Sequence, residues 1–175
     1  MLRRTALSAM LLAIAVPSAA ALPVGTKVPD FTTRGAIGGK VFKIHLAEQL
    51  KKGPVVLYFF PKVFTAGCTA EANAFAEATA DFRKAGATVI GMSADTVPEL
   101  QKFSVEACRS KFAVASAGPQ IIKDFDVALT QRPGMTDRTS YVIAPTGRVA
   151  FVHSDMKPND HVRLTLAAVR QMTGK

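Results

Sequence analysis

The chain has 175 residues, enough for one compact domain and short for two, and its 49% hydrophobic and 20% charged content excludes a disordered, collagenous or coiled-coil polypeptide. Two cysteines, with neither a CxxC pair nor a Cys/His cluster, exclude a disulfide-dense scaffold and a structural zinc site. The 22 basic residues outnumber the 13 acidic ones to give +9, but they are scattered and not interleaved with aromatics, which speaks against nucleic-acid binding.

Residues Met1 to Ala21 read as a secretory signal peptide. Arg3 and Arg4 form a basic start, Ala6 to Val16 an apolar run, and Ala19-Ala20-Ala21 an A-x-A-like cleavage site. As a helix the run of about 11 residues is ~16 Å long, too short for a bilayer core of about 30 Å, although a membrane anchor or a buried helix is the other reading. Export leaves residues 22–175 as the mature domain in a periplasmic or secreted location, with no stable membrane span. In that oxidising setting two cysteines tend to be paired or chemically active.

In the mature chain, Val28-Pro29-Asp30-Phe31 reads as an extended lead-in, Gly35 to Lys40 as a turn and Val41 to Ile44 as a short strand. Val55 to Phe60 are six apolar residues in succession, as in a strand buried on both faces at the centre of a parallel sheet. A helix follows from Thr65–Cys68 to about Lys84, with Ala72, Phe75, Ala76 and Phe82 on its apolar side and Glu71, Glu77, Asp81 and Arg83 more exposed. Gly86 closes that helix and Val89 to Ser93 forms a second buried strand, which completes a right-handed βαβ crossover.

Another helix spans roughly Pro98 to Arg109 and places Leu100, Ser104, Ala107 and Cys108 on one face, so that Cys108 points inward. Phe112 to Ala115 reads as a short strand and Ile121 to Phe125 as a helical turn. Ser140–Ala144 and Val149–Val152 flank Pro145-Thr146-Gly147 as an antiparallel hairpin. A last helix from about Asp160 to Met172 buries Val162, Leu166, Val169 and Met172. The order describes an α/β sandwich in which helices flank a mixed sheet. His45, His153 and His161 lack metal-ligand spacing and read as surface or strand-edge residues. With no phosphate loop or flavin fingerprint, no cofactor is implied.

Cys68 lies just past a buried strand, in the opening turn of a helix. Free backbone N–H groups and the positive end of the dipole there favour an anion, so the thiol is expected to titrate below its ordinary range. An inert buried cysteine is the competing reading, and position alone does not choose between them. The surrounding Pro61-Lys62-Val63-Phe64-Thr65-Ala66-Gly67-Cys68 fits Pro-x-x-x-Thr-x-x-Cys, and Arg138 opens the strand Thr139-Ser140-Tyr141-Val142-Ile143.

This constellation resembles the active site of the peroxiredoxins, and the likeness extends over essentially the mature chain. It implies a thioredoxin-like three-layer sandwich and a thiol peroxidase acting on hydrogen peroxide or alkyl hydroperoxides. Cys68 would attack the peroxide and become a sulfenic acid. Arg138 would hold the thiolate charged and bind the peroxide oxygens, a surface salt bridge being its other reading. Thr65 would offer its hydroxyl to sulfur or peroxide, or serve as an N-cap; Pro61 would shield the loop, or simply end the strand. Glu71, one turn after Cys68, would orient Arg138, or be an exposed helix charge.

Cys68-Thr69-Ala70-Glu71-Ala72-Asn73 is similar to the bacterioferritin-comigratory, or Q-type, subgroup. Asn73 stands where many of its members carry a resolving cysteine. Cys108, on the next helix, matches another arrangement seen in that subgroup, so the resemblance implies that it resolves the sulfenic acid as an intramolecular Cys68–Cys108 disulfide; a spectator Cys108 with an external thiol as resolver and a permanent bridge stay open. A thioredoxin-like thiol reductant and a monomer are also implied. An envelope thiol–disulfide oxidoreductase is the alternative activity, although Thr65 occupies the first position of the CxxC it would need. A non-catalytic binding protein of the same fold is the other.

Overall fold

A computed structural model describes residues 21–175; the segment read as a signal peptide therefore lies outside the described residues, apart from Ala21. Seven strands form one mixed sheet: β1 (Thr32–Ile37), β2 (Lys40–His45), β3 (Val55–Phe59), β4 (Thr88–Ser93), β5 (Ala113–Ser116), β6 (Thr139–Ile143) and β7 (Val149–Ser154). Their spatial order is β2-β1-β5-β4-β3-β6-β7. Among the described residues five helices accompany them: α1 (Leu46–Leu50), α2 (Ala66–Lys84), α3 (Val97–Glu106), α4 (Pro119–Asp124) and α5 (His161–Thr173).

The unbroken apolar run of β3 has the expected cause. Val56, Tyr58 and Phe60 enter one core beneath α2, α3 and α5, while Val55, Leu57 and Phe59 enter a second core beneath α1 and α4. Two buried faces leave no position for a polar side chain, and the result is a three-layer α/β sandwich. β3 pairs parallel with β4 across the α2 crossover and antiparallel with β6. The β6–β7 hairpin forms as read, with a register shift at Val142/Ile143.

Several expectations need correction. The segment from Gly35 is not a turn. Thr32–Ile37 is a strand between β2 and β5, and only Gly38 and Gly39 turn, with φ of 54° and 76°. Gly35 sits inside that strand because a Cβ there would stand 2.4 Å from the Val114 carbonyl oxygen. Helix α3 stops at Glu106, short of Arg109. Arg109 and Ser110 adopt left-handed backbone with φ of 49° and 57°, which puts Cys108 in the turn beyond the helix, still fully buried.

Glu71 is not on the exposed side of α2, and His161 is not at the surface; both are buried. In α5 it is His161, Thr165, Leu166 and Val169 that are buried, while Val162 and Met172 are only half-buried against the same core. His45 is half-exposed on an edge strand and pairs with Asp30, as a surface reading requires.

The register explains where chemistry gathers. Phe59, the last residue of β3, pairs with Thr139, the first of β6. Because these strands run in opposite directions, the exit of β3 into α2 and the residue preceding β6, Arg138, are delivered to the same edge of the sheet.

Candidate active site

The loop between β3 and α2 is fixed by groups from three other segments. Asp95, buried just after β4, accepts from the Val63 backbone N–H at 2.9 Å, from the Ser93 hydroxyl at 2.9 Å and from the Lys62 ammonium. Thr136 donates from Oγ1 to the Phe60 carbonyl at 2.6 Å. Lys62 also reaches Glu99 at 3.3 Å, and Glu99 closes a capping box with Thr96 at the start of α3. Phe64 takes a left-handed φ of 61° with its ring half out in solvent and edge-on to Phe103, a geometry unfavourable for an aromatic residue and held between these ties.

The first helical bond of α2 runs from the Thr69 N–H to the Thr65 carbonyl at 2.9 Å. Ala66, Gly67 and Cys68 therefore occupy the first turn, where backbone N–H groups have no intrahelical acceptor. Cys68 is 2% exposed. Arg138 extends from the head of β6 and donates from Nη2 to the Cys68 Sγ at 3.4 Å, from Nε to the Met156 carbonyl at 2.9 Å, and from Nη1 to Glu71 Oε2 in a buried ion pair. Three of its donors are thus committed in a fixed fork, a task suited to a planar guanidinium. Gly67 gives the guanidinium room, since a Cβ there would come 3.3 Å from Nη2.

Electrostatically the three groups depend on one another. Burial works against the charge on Arg138, but Glu71 and Cys68 outweigh it and hold the guanidinium protonated. Burial pushes the Glu71 carboxyl up to about 8, Arg138 pulling the other way. The structure therefore brings together Cys68, Arg138 and Glu71.

Thr65 and Pro61 line a cleft of about 450 Å³ with Leu129, Met135 and Met156. The Thr65 hydroxyl forms no side-chain cap and spends its single proton on the Lys62 carbonyl at 3.1 Å, so it does not donate to sulfur in this conformation. Cys108 is a free thiol in the same core as Cys68, and burial pushes its thiol up. It stands at the C-terminal end of α3, where its N–H donates to the Phe103 carbonyl at 3.1 Å.

Two residues of this region escape a linear reading of the sequence. Asp95 is one, although the Thr96-Val97-Pro98-Glu99 capping box beside it was a visible signal. His161 is the other. Its Nε2 donates to the Asp155 carbonyl at 2.9 Å, which leaves Nδ1 to accept from the Ser140 hydroxyl at 2.8 Å, and burial lowers its pKa to about 4.

Comparison with known proteins agrees with this geometry. Residues 24–152 match the AhpC/TSA family. The chain is 30% identical over 149 residues to a putative chloroplastic peroxiredoxin Q of Oryza sativa subsp. indica, covering 85% of this chain and 67% of that protein. It is 31% identical over 150 residues to the chloroplastic peroxiredoxin Q of Populus jackii, covering 85% and 68%. Among solved structures, peroxidoxin BcpB from Mycobacterium tuberculosis superimposes with a TM-score of 0.76 at 30% identity, over 85% of this chain and 97% of that one. A Plasmodium vivax 2-Cys peroxiredoxin gives the same TM-score at 21% identity over 86% and 82%, a likeness of fold. With its thioredoxin-like sandwich and a cysteine held under an arginine at a helix start, the chain belongs to the AhpC/TSA family and is a peroxiredoxin of the Q-type kind, a thiol peroxidase.

Proposed function

We propose that the protein reduces hydrogen peroxide and organic hydroperoxides through Cys68, is resolved by Cys108 and is regenerated by an external thioredoxin-like thiol donor. One observation carries this reading: the buried Cys68 sulfur lies in the first turn of α2 and 3.4 Å from a guanidinium nitrogen of Arg138. The thiolate attacks one peroxide oxygen and the O–O bond breaks. Sulfur is oxidised to sulfenic acid, and the departing oxygen takes a proton to leave as water or alcohol. Arg138 and the unpaired amides of Ala66–Cys68 face the charge that develops on oxygen. Pro61 and Thr65 wall the approach, and Glu71 holds Arg138 in position.

The Cys108 thiol then attacks the sulfenic sulfur; an S–S bond forms and water departs. A shared core on one sheet face supports this step. Burial disfavours ionisation of Cys108, so the step requires the turn after α3 to open, and the left-handed Arg109 and Ser110 make that turn costly to hold closed. Bonding requires the two Cα atoms to come within about 7 Å. Mass spectrometry after one equivalent of peroxide is expected to show loss of two hydrogens in the wild type and a lasting sulfenic acid in Cys108→Ser. Full peroxide consumption by Cys68→Ser would sink the assignment of Cys68.

The reading includes a monomer, exported with removal of residues 1–21. The basic start, short apolar run and small-residue site support export. Amino-terminal sequencing of the protein from an envelope fraction, with its size by gel filtration, tests both.

A further inference from the structure

The tip of the β1–β2 hairpin reaches onto the end of α3, the helix that leads into Cys108. Gly39 gives both of its backbone groups to that helix. Its N–H donates to the Ser104 hydroxyl at 3.0 Å, and its carbonyl accepts from Gln101 Nε2 at 2.7 Å. The Ser104 hydroxyl in turn donates to the Gln101 carbonyl at 2.7 Å and closes the ring. Ser104 is fully buried on a helix face that otherwise carries Leu100 and Phe103, and these bonds are what lets a hydroxyl stay there. The approach is close: a Cβ on Gly39 would stand 3.3 Å from Val105 Cγ2, and one on Gly38 3.4 Å from Ser110. The tip therefore meets the chain on both sides of Cys108.

The tip is also stiff and anchored. Gly38 and Gly39 form a two-residue loop with both φ positive, the requirement of a tight type I′ hairpin. Strand β1 pairs with β5, which begins just after the Cys108 turn. The hairpin is thus fixed to the strand that follows residues 107–111, and its bonds hold the helix that precedes them. Between the two, Arg109 and Ser110 keep left-handed backbone, a strain that opening relieves. Within the turn, Ser110 N–H donates to the Ser104 carbonyl and Lys111 N–H to the Cys108 carbonyl, both at 2.9 Å. Helix α2 adds Arg83 Nη2 on the Lys111 carbonyl at 2.8 Å and a Glu77–Arg109 pair at 3.2 Å, both at the surface, where such ties are weak. The opposite end of α3 is pinned by its capping box and by Lys62, which leaves the Cys108 end as the one to lift.

We propose that the β1–β2 tip is a clasp on the resolving cysteine: Gly39, Ser104 and Gln101 set how often residues 107–111 open, and so how long the Cys68 sulfenic acid waits for Cys108. Ser104 and Gln101 act on the sulfur only through the backbone, as positioning residues. When the turn opens, Cys108–SH attacks Cys68–SOH, the S–S bond forms and water leaves. While it is shut, a second peroxide competes: one of its oxygens passes to the sulfenic sulfur, giving sulfinic acid and water. The clasp thereby sets the peroxide concentration at which turnover gives way to sulfinic acid. The inference rests on Cys108 being the resolving thiol.

Opening is read from the reduced protein, without peroxide. In a Cys68→Ser background, alkylation of native Cys108 by iodoacetamide is expected to quicken about tenfold in Ser104→Ala, which orphans the Gly39 N–H. It is expected to quicken about threefold in Gln101→Glu, which sets a carboxylate against the Gly39 carbonyl at an exposed position where folding is not at stake. Gln101→Lys keeps a donor and is expected to restore the wild-type rate. Alkylation of Cys68, in a Cys108→Ser background, is expected to stay unchanged in all three, whereas a general loosening of the core would quicken both thiols. Unchanged Cys108 alkylation in Ser104→Ala and Gln101→Glu, or equal quickening of both thiols, overturns the clasp and leaves the peroxidase reading intact.

Sulfur chemistry supplies the second readout. With both cysteines present, the lifetime of the sulfenic acid after one equivalent of peroxide is followed by rapid quench and mass. In Gln101→Glu it is expected to shorten by the factor seen in alkylation, and the peroxide concentration that converts half of Cys68 to sulfinic acid is expected to rise by the same factor. The rate of the first oxidation is expected to stay unchanged. Faster alkylation with an unchanged lifetime overturns control of resolution by the clasp. Absence of a Cys68–Cys108 disulfide in every protein overturns the reading of Cys108 as resolver, and the inference with it.

Discussion

Cys68 and Cys108 share one hydrophobic core, are almost equally buried and are both free thiols, yet their surroundings are opposite. Cys68 stands at the amino end of a 19-residue helix with unpaired amides and a guanidinium donor. Cys108 stands just past the carboxyl end of a 10-residue helix, among apolar groups such as Phe103 and Phe112, with burial alone acting on its thiol. Burial does not decide reactivity here. The end of the helix dipole and the presence of one buried cation separate the two, and the proposed division of labour between the sulfurs rests on that difference.

That contrast can be broken from either side. Phe103→Ala opens the core that Phe103 shares with Cys108, whose N–H donates to the Phe103 carbonyl at 3.1 Å, and removes a ring that stacks on Phe60 and meets Phe64 edge-on. It is expected to cost about 3–5 kcal/mol in urea unfolding and to speed alkylation of Cys108 far more than that of Cys68. Arg138→Met attacks the other side. Peroxide kcat/KM is expected to fall by roughly 10²–10³, the scale for loss of one preorganised donor, with Arg138→Lys a poor substitute because a point charge cannot make the same fork.

The buried histidine beneath Cys68 predicts a pH dependence. Its folded pKa is depressed to about 4 from 6.5, so its contribution to stability is fully present above pH 6.5 and is lost as pH falls toward 4, where the unfolded chain binds a proton that the folded one refuses. The loss is expected to reach about 2–3 kcal/mol in denaturation series across that window, and His161→Asn is expected to flatten it. The smallest effect is that of Gly67→Ala. Its methyl would press on Nη2 of Arg138 at 3.3 Å, so activity is expected to drop by about tenfold while the melting temperature holds or rises slightly.

Much of the fold was legible in local pattern. The apolar run Val55–Phe60, the α2 periodicity and the β6–β7 hairpin each state their burial in consecutive residues. β1 was hidden because Gly35 reads as a turn residue, whereas its role is to let the β5 backbone approach, a fact about Val114 that the local sequence does not contain. The pairing of Cys68 with Arg138 was legible only through the family resemblance carried by the Pro61–Cys68 spacing and the strand after Arg138. Glu71 was not placed as buried, and His161 was read as a surface residue, because a carboxylate or imidazole in a helix normally faces water.

The sequence by itself determined which segments are apolar on one face or two, where the longest helix runs, and that a cysteine lies in its opening turn. Only the tertiary structure decided that Arg138, 70 residues further on, lies against that sulfur, and that Glu71 and His161 go inward with it. The reason is physical: apolar burial is written in the periodicity of neighbouring residues, while the burial of a charge depends on a partner that only the antiparallel register of β3 and β6 brings within reach.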